Sequence, residues 1–331
     1  MQLRRVSIAL LAAGALALSA CSSSSDSKET TAPSGDTAAG DLTYPATIDT
    51  KFGEITVEEK PERVVALGWG DAEVALALGT QPVGAADWLG FGGEGVGPWS
   101  EGLYDKAPEI LGTMELSYEA VAALEPDLII DVRSSGDKER YDRLSSIATT
   151  IGVPEGGDSW LATPDQQVTM ISAALGQPEK GEEMLKEVDD AFAKVADDHS
   201  DWAGKTVTVA TRTSETWGAY VNDPRVTFFE NLGFKLTSEV KDLPLDENGW
   251  SVSISPEQLD KLDADLLVAF PIFIDTKEIT DDAGWKLIPA VADGRSIVID
   301  GDLSNAFSLA TPASTIYAIN EFTPLIEKAV K

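Results

Sequence analysis

The strongest constraint on this chain is a segment that occurs twice, once on each side of a long helix. Residues 117–131 (SYEAVAALEPDLIID) align without a gap to residues 255–269 (SPEQLDKLDADLLVA). Ser117/Ser255, Glu119/Glu257, Leu124/Leu262, Asp127/Asp265 and Leu128/Leu266 are identical. Each copy reads as a helix that stops before a buried apolar strand. A shorter echo precedes each copy: VALALGTQPVGAAD and FFENLGFKLTSEV share a helix end, a Leu-Gly stop and a strand. Between the copies, from Pro178 to about His199, the residues Met184, Leu185, Val188, Ala191, Phe192 and Val195 keep one face at steps of three and four. Such a helix is a rod of roughly 30 Å, long enough to run along two bodies.

Continuous apolar strands at 63–67, 82–86 and 127–132 alternate with helices at 71–78 and 118–124, a pattern of parallel strands covered on both faces. The expected fold is therefore α/β: two Rossmann-like lobes with mainly parallel sheets, joined by one long α-helix. The N-terminal lobe spans 45–177, the connecting helix 178–202 and the C-terminal lobe 203–331. A ligand cleft is expected between the lobes, facing the loops that leave the carboxyl ends of the strands.

The start of the chain addresses the compartment. Arg4 and Arg5 precede an apolar run from Ile8 to Leu18, and Leu18-Ser19-Ala20-Cys21 comes next. This reads as a secretory signal over residues 1–20, because the run is shorter than the ~20 residues that cross a bilayer. Leu-Ser-Ala-Cys resembles the lipobox of bacterial lipoproteins, in which the cysteine is acylated, so Cys21 is the expected lipid attachment. It is the only cysteine, which excludes an intramolecular disulfide and a cysteine metal cluster. Residues 21–44 hold no large apolar side chain before Leu42 and are expected to be a flexible tether. Lys+Arg number 25 against Asp+Glu 56; losing Arg4 and Arg5 takes the net charge from −31 to −33. A surface of that sign repels nucleic acid. The expectation is a monomer, anchored by lipid on the extracytoplasmic face of the cell membrane.

Signals of catalysis are poor. The single histidine, His199, is expected at a solvated helix end, and one imidazole does not make a zinc site. No Gly-x-Ser-x-Gly elbow and no Walker loop occurs. Residues 90–95 (GFGGEG) match Gly-x-Gly-x-x-Gly by letter, but Pro98 and Trp99 stand in place of a helix, so they read as a mobile cleft loop. Aromatic and arginine residues, in contrast, recur at strand exits: Trp69, Trp88 and Arg133 in the first half, Arg212, Trp217, Tyr220, Phe270 and Phe273 in the second. Only nine arginines exist, and two stand at these exits. Flat apolar walls with guanidinium forks suit a large, partly apolar, oxygen-rich anion.

The run KPERVVALGWGDAEVALALGTQPVGAADW, then SYEAVAALEPDLII, the long helix and SPEQLDKLDADLLV resemble the iron-siderophore ABC transporter substrate-binding lipoproteins. The resemblance covers about residues 56–318. It implies two lobes joined by a rigid helix, a ferric siderophore as cargo, no cofactor and no catalysis, and delivery to an ABC permease. It also implies that Glu119 and Glu257, one per lobe, dock into arginine pockets of that permease. Family members often carry Ser-Arg-Phe-Gly with a cleft arginine; here Asp223-Pro224-Arg225-Val226 stands in its place, so Arg225 aligns while its neighbours differ. The same scaffold also serves corrinoid or haem, and a cell-envelope enzyme is the alternative from another class, for which no nucleophile–base set is present.

Overall fold

The computed structural model describes residues 42–112, 115–247 and 249–330. The signal segment, Cys21 and the tether up to residue 41 lie outside the described residues. The fold begins earlier than the expected tether end: Thr43 N–H donates to the Gly176 carbonyl, and the Tyr44 ring packs on the first core.

A hairpin that sequence reasoning missed comes first, β1 (Ala46–Thr50) against β2 (Gly53–Val57). The first lobe then runs β3 (Val64–Ala66), α1 (Asp71–Ala77), β4 (Gly84–Ala86), β5 (Glu109–Leu111), α2 (Tyr118–Ala123), β6 (Leu128–Ile130), α3 (Lys138–Ser145), β7 (Thr149–Ile151) and α4 (Pro164–Ala174). All its strands are parallel, in the order β5-β4-β3-β6-β7. Both faces are covered, as the unbroken apolar strands require. Val64, Ala66, Leu128, Ile130 and Ile151 pack towards α1 and α4; Val65, Leu67, Ile129 and Leu111 pack towards α2 and α3.

The connecting helix α5 is Pro178–Asp198, continued by a 3₁₀ turn at Ser200–Trp202. Its apolar stripe is divided between two cores: Met184 and Leu185 belong to the first, and Val188, Ala191, Phe192 and Val195 to the second. His199 is not at a solvated end as expected. Its ring stacks on buried Trp202 at 4.1 Å, and its Nε2 lies 3.5 Å from Glu327.

The second lobe comprises β8 (Thr206–Arg212), β9 (Trp217–Tyr220), α6 (Pro224–Asn231), β10 (Lys235–Leu236), α7 (Ser238–Lys241), β11 (Ser251–Ile254), β12 (Leu266–Pro271), α8 (Lys277–Thr280), α9 (Pro289–Ala292), β13 (Ser296–Val298), α10 (Gly301–Leu309) and α11 (Pro312–Ala329). β10, β8, β12 and β13 are parallel neighbours that repeat the β4-β3-β6-β7 order of the first lobe. The repeat read from sequence thus falls on equivalent places, β6 and β12. The Leu-Gly stops also match, with Gly79 at φ 84° and Gly233 at φ 96° before β4 and β10. The match has two exceptions. The second copy begins as a 3₁₀ segment, Pro256–Leu262, kinked at Gln258. The sheet is mixed rather than parallel throughout, because β9 turns back antiparallel on β8 and pairs with β11.

Candidate functional site

In each sheet the chain order reverses between two central strands, β3 and β6 in the first lobe and β8 and β12 in the second. A crevice opens at the carboxyl ends of such a pair, because the loops leaving the two strands depart to opposite sides. Trp69 comes after β3, Arg133 after β6 and Phe273 after β12, while Arg212 ends β8. The two crevices define the candidate site.

The β3 and β6 exits are fastened by one carboxylate. Asp71 is fully buried at the start of α1 and accepts N–H bonds from Gly68 (3.1 Å), Val132 (2.8 Å), Arg133 (3.4 Å) and Gln167 Nε2 (2.6 Å). Trp69 N–H in turn donates to the Arg133 carbonyl at 2.9 Å. Burial, with a smaller push from nearby Asp131, raises the Asp71 carboxyl to about 6, and the N–H groups of Gln167, Val132 and Arg133 pull against that shift. It is therefore ionised at neutral pH. Gly68 is obligatory in this knot, since a Cβ there would come within 2.7 Å of Arg133 N and closer still to the Asp71 carboxylate.

Above the knot lies an aromatic wall. Trp69 stacks on Trp88 at 4.0 Å and on Trp160 at 4.9 Å, with ring planes within 18°. The indole N–H groups of Trp69 and Trp88 are buried and find no acceptor among the described residues. Trp160 was not singled out from the sequence; it lies nine residues beyond β7 (Thr149–Ile151), in the 3₁₀ turn Asp158–Trp160. Its backbone is left-handed at φ 63°, as is that of Ser159 at φ 55°, a conformation costly for residues with a Cβ. Ser159 and Trp160 are pinned by N–H bonds to the Ser135 and Ser134 carbonyls. A cavity of about 360 Å³ opens beside Trp160, lined in part by Leu67, Tyr118, Ser134 and Arg140.

Arg133 is buried. Its Nη1 donates to the Leu309 carbonyl of the second lobe, and its Nε has no partner among the described residues. Burial and the nearby Arg225 guanidinium pull it down to about 10, while Asp223 and Asp71 oppose that shift. Arg133 and Arg225 are thus neighbours contributed by opposite lobes. Arg225 lies over Tyr220 at 4.4 Å and is held by Asp223, whose Oδ1 accepts from Arg225 N (2.9 Å) and whose Oδ2 accepts from Nη1 (2.9 Å). Burial opposes its charge, and Asp223 more than offsets that, so its affinity for the proton rises.

The lobes also meet beneath the cleft. Glu73 is buried and accepts from Gly97 N, Trp99 Nε1 (2.7 Å) and Thr311 Oγ1 (2.7 Å). Burial raises its carboxyl against those bonds. Gly70, at φ 81°, lies where a Cβ would meet Thr311. The glycine-rich 90–95 segment is a turn wound round Asp87, which accepts from Phe91 N and Gly92 N.

The structure thus places Trp69, Trp88 and Arg133 at exits of the first sheet, with Arg225 of the second lobe acting on Arg133, and Arg212 at the end of β8. Two of the expected cargo contacts are buried in the second lobe. Trp217 is 1 % exposed, stacks on Trp285 at 5.5 Å and belongs to the second-lobe core. Tyr220 is likewise buried, between Arg225, Trp250 and Phe270. Both lie in β9, where alternation sends Trp217 and Tyr220 into opposite cores. Arg212 is half-buried, donates to Thr213 O and lies 5.8 Å over the Trp217 ring. Phe273 stands apart, fully exposed at 102 % with a left-handed backbone. Glu119 and Glu257 are exposed near the start of α2 and of the Pro256–Leu262 segment.

Comparison with known proteins agrees with this architecture. The probable siderophore-binding lipoprotein YfiY of Bacillus subtilis (strain 168) is 29 % identical over 303 residues, 86 % of this chain and 87 % of the relative. A periplasmic solute binding protein of Mycobacterium smegmatis superimposes with a TM-score of 0.76 at 26 % identity, covering 86 % of this chain and 99 % of the other. PiaA of Streptococcus pneumoniae TIGR4, solved in complex with ferrichrome, gives a TM-score of 0.71 at 28 % identity, covering 86 % and 98 %. Because the sequence profile of the periplasmic binding protein family matches residues 64–303, from the first parallel strand into α10, the chain belongs to that family of solute-binding proteins and is not an enzyme.

Proposed function

We propose that this protein is a lipid-anchored extracytoplasmic receptor that binds a ferric siderophore and delivers it to an ABC importer. The observation that carries the reading is the Trp69-Trp88-Trp160 wall beside Arg133, built at the point where the first sheet reverses its order. Indole faces give a chelate flat apolar contact, and the N–H groups of Trp69 and Trp88 and the Arg133 Nε, which have no acceptor among the described residues, are donors suited to ligand oxygens. YfiY and PiaA, whose names and complex point to siderophores, support the same cargo class. Cys21 is the anchor in this reading, and the exposed carboxylates Glu119 and Glu257 meet arginines of the permease.

The test uses colour and fluorescence. The purified mature protein, mixed with ferric siderophore, haem or cobalamin, should retain only the ferric siderophore on gel filtration, with quenched tryptophan emission. Retention of cobalamin alone would sink the reading. In cells, Glu119→Ala combined with Glu257→Ala should abolish uptake with cargo affinity unchanged, and Cys21→Ser should free the protein from membranes.

A further inference from the structure

The guanidinium groups of this cleft promise an anion, but the structure balances most of their charge internally. Asp223 side-chain exposure is 9 % and that of Arg225 14 %, and the two form a closed ion pair. The same Asp223 caps α6 through Arg225 N. Asp71 carries a buried negative charge with no ion pair of its own among the described residues, and it accepts the Arg133 N–H. Arg133 and Arg212 differ from Arg225: each donates its Nη1 to a carbonyl, of Leu309 and Thr213 respectively, rather than to a carboxylate. Three guanidinium groups against Asp71 and Asp223 leave at most one net positive charge, before Glu73 is counted beneath the cleft.

The walls do not add positive charge either. Aromatic faces carry the negative lobe of the ring quadrupole, so the tryptophan wall favours neutral or cationic partners over anions. Beyond the cleft the chain as a whole carries −31. The cargo classes differ sharply in charge. Three singly charged hydroxamates neutralise Fe(III), whereas three doubly charged catecholates leave a trianion. A trianion in this cleft would retain uncompensated charge in a partly dehydrated place, which is the costly case.

We infer that Asp223 is a charge-selecting residue, and that the cleft is built for a ferric chelate of low net charge, of the trishydroxamate kind, rather than for a triscatecholate. This inference rests on the ferric-siderophore reading and narrows it. Asp223 keeps Arg225 in place as a hydrogen-bond donor and planar surface while removing its surplus charge. Removing the carboxylate charge but keeping its capping oxygen turns the cleft towards anions.

The experiment is a set of fluorescence titrations on the whole mature chain, wild type and Asp223→Asn, with a neutral ferric trishydroxamate and a ferric triscatecholate. Asn retains an acceptor for Arg225 N, so the α6 cap survives. Wild type should prefer the trishydroxamate by about a hundredfold, and Asp223→Asn should narrow that preference by about tenfold, chiefly through tighter binding of the trianion. If the Asn variant fails to fold, Asp223→Ser, which also caps, takes its place. A wild-type preference for the triscatecholate would overturn the inference and leave the siderophore reading standing. So would an unchanged ratio in a variant with an intact circular dichroism spectrum and thermal midpoint. Binding of neither chelate would overturn both.

Discussion

The two lobes share a strand order yet present opposite faces to the cleft. The first shows Trp69, Trp88 and Trp160 and hides a carboxylate beneath them; the second hides Trp217 and offers arginine paired with aspartate. The cause lies in the path of the chain beyond the central strand. After β3, β4 and β7 the chain leaves the sheet, so Trp69 and Trp88 in loops and Trp160 in a 3₁₀ turn are free to face outward. After β8 it turns back at once as β9, and a residue just past the exit is still bound to the alternation of a strand. Trp217 is thereby drawn into the core. An aromatic at a strand exit marks a cleft only where the strand is parallel and its exit ends the pairing.

That contrast can be broken most decisively at the tryptophans. Trp217→Ala should lower unfolding free energy by about 3–5 kcal/mol, the usual cost of emptying a large core site. Trp160→Ala should cost less in urea unfolding and yet weaken cargo binding. Equal losses of stability would erase the distinction between the lobes.

The next largest effect concerns pH and Asp71. Its carboxyl titrates at about 6 in the fold, against roughly 3.9 in an unfolded chain. The folded state then binds the extra proton between those values, so Asp71 contributes less stability as pH rises from about 4 to about 6, and no further change above. Wild type should lose on the order of 2–3 kcal/mol relative to Asp71→Asn across that window. Parallel stability profiles for the two proteins would contradict the buried, ionised knot in the first lobe.

Gly68→Ala should destabilise by about 1–3 kcal/mol, as overpacking does, and should lower cargo affinity because it pushes the Arg133 backbone. The smallest change in stability belongs to Phe273→Ala, within about 0.5 kcal/mol, since the ring is fully exposed. Its cargo affinity should still fall, as Phe273 is the one second-lobe aromatic among the expected contacts that stands outward as the first-lobe tryptophans do. Unchanged affinity would leave the second lobe without an aromatic contribution.

Much of the architecture is legible in the chain. Period and punctuation disclose α5 and its apolar stripe, and the repeat locates β6 and β12. The β8–β9 hairpin is not legible, because Trp217-Gly218-Ala219-Tyr220 comes after β8 through a turn that carries no Asn-Gly signal. Within the site, position after a strand points to Trp69, Trp88 and Arg133, and Trp160 is missed because it stands nine residues beyond the end of β7. Asp71 and Asp223 escape for a different reason. In a chain with 56 acidic residues, burial marks Asp71, and pairing with Arg225 marks Asp223, and both are properties of the fold.

The seam of Glu73, Thr311, Arg133 and Leu309 has a thermodynamic consequence. Parting the lobes there would strand a buried carboxylate and a buried guanidinium, and each hydrogen bond to such a group is worth about 1.5–3 kcal/mol. The empty receptor therefore keeps the mould its cargo needs, and the entropy of ordering the cleft is surrendered when the chain folds rather than when the ligand arrives. Arrival then requires no rearrangement, so chelates of different fit should enter at similar rates and differ in how long they stay.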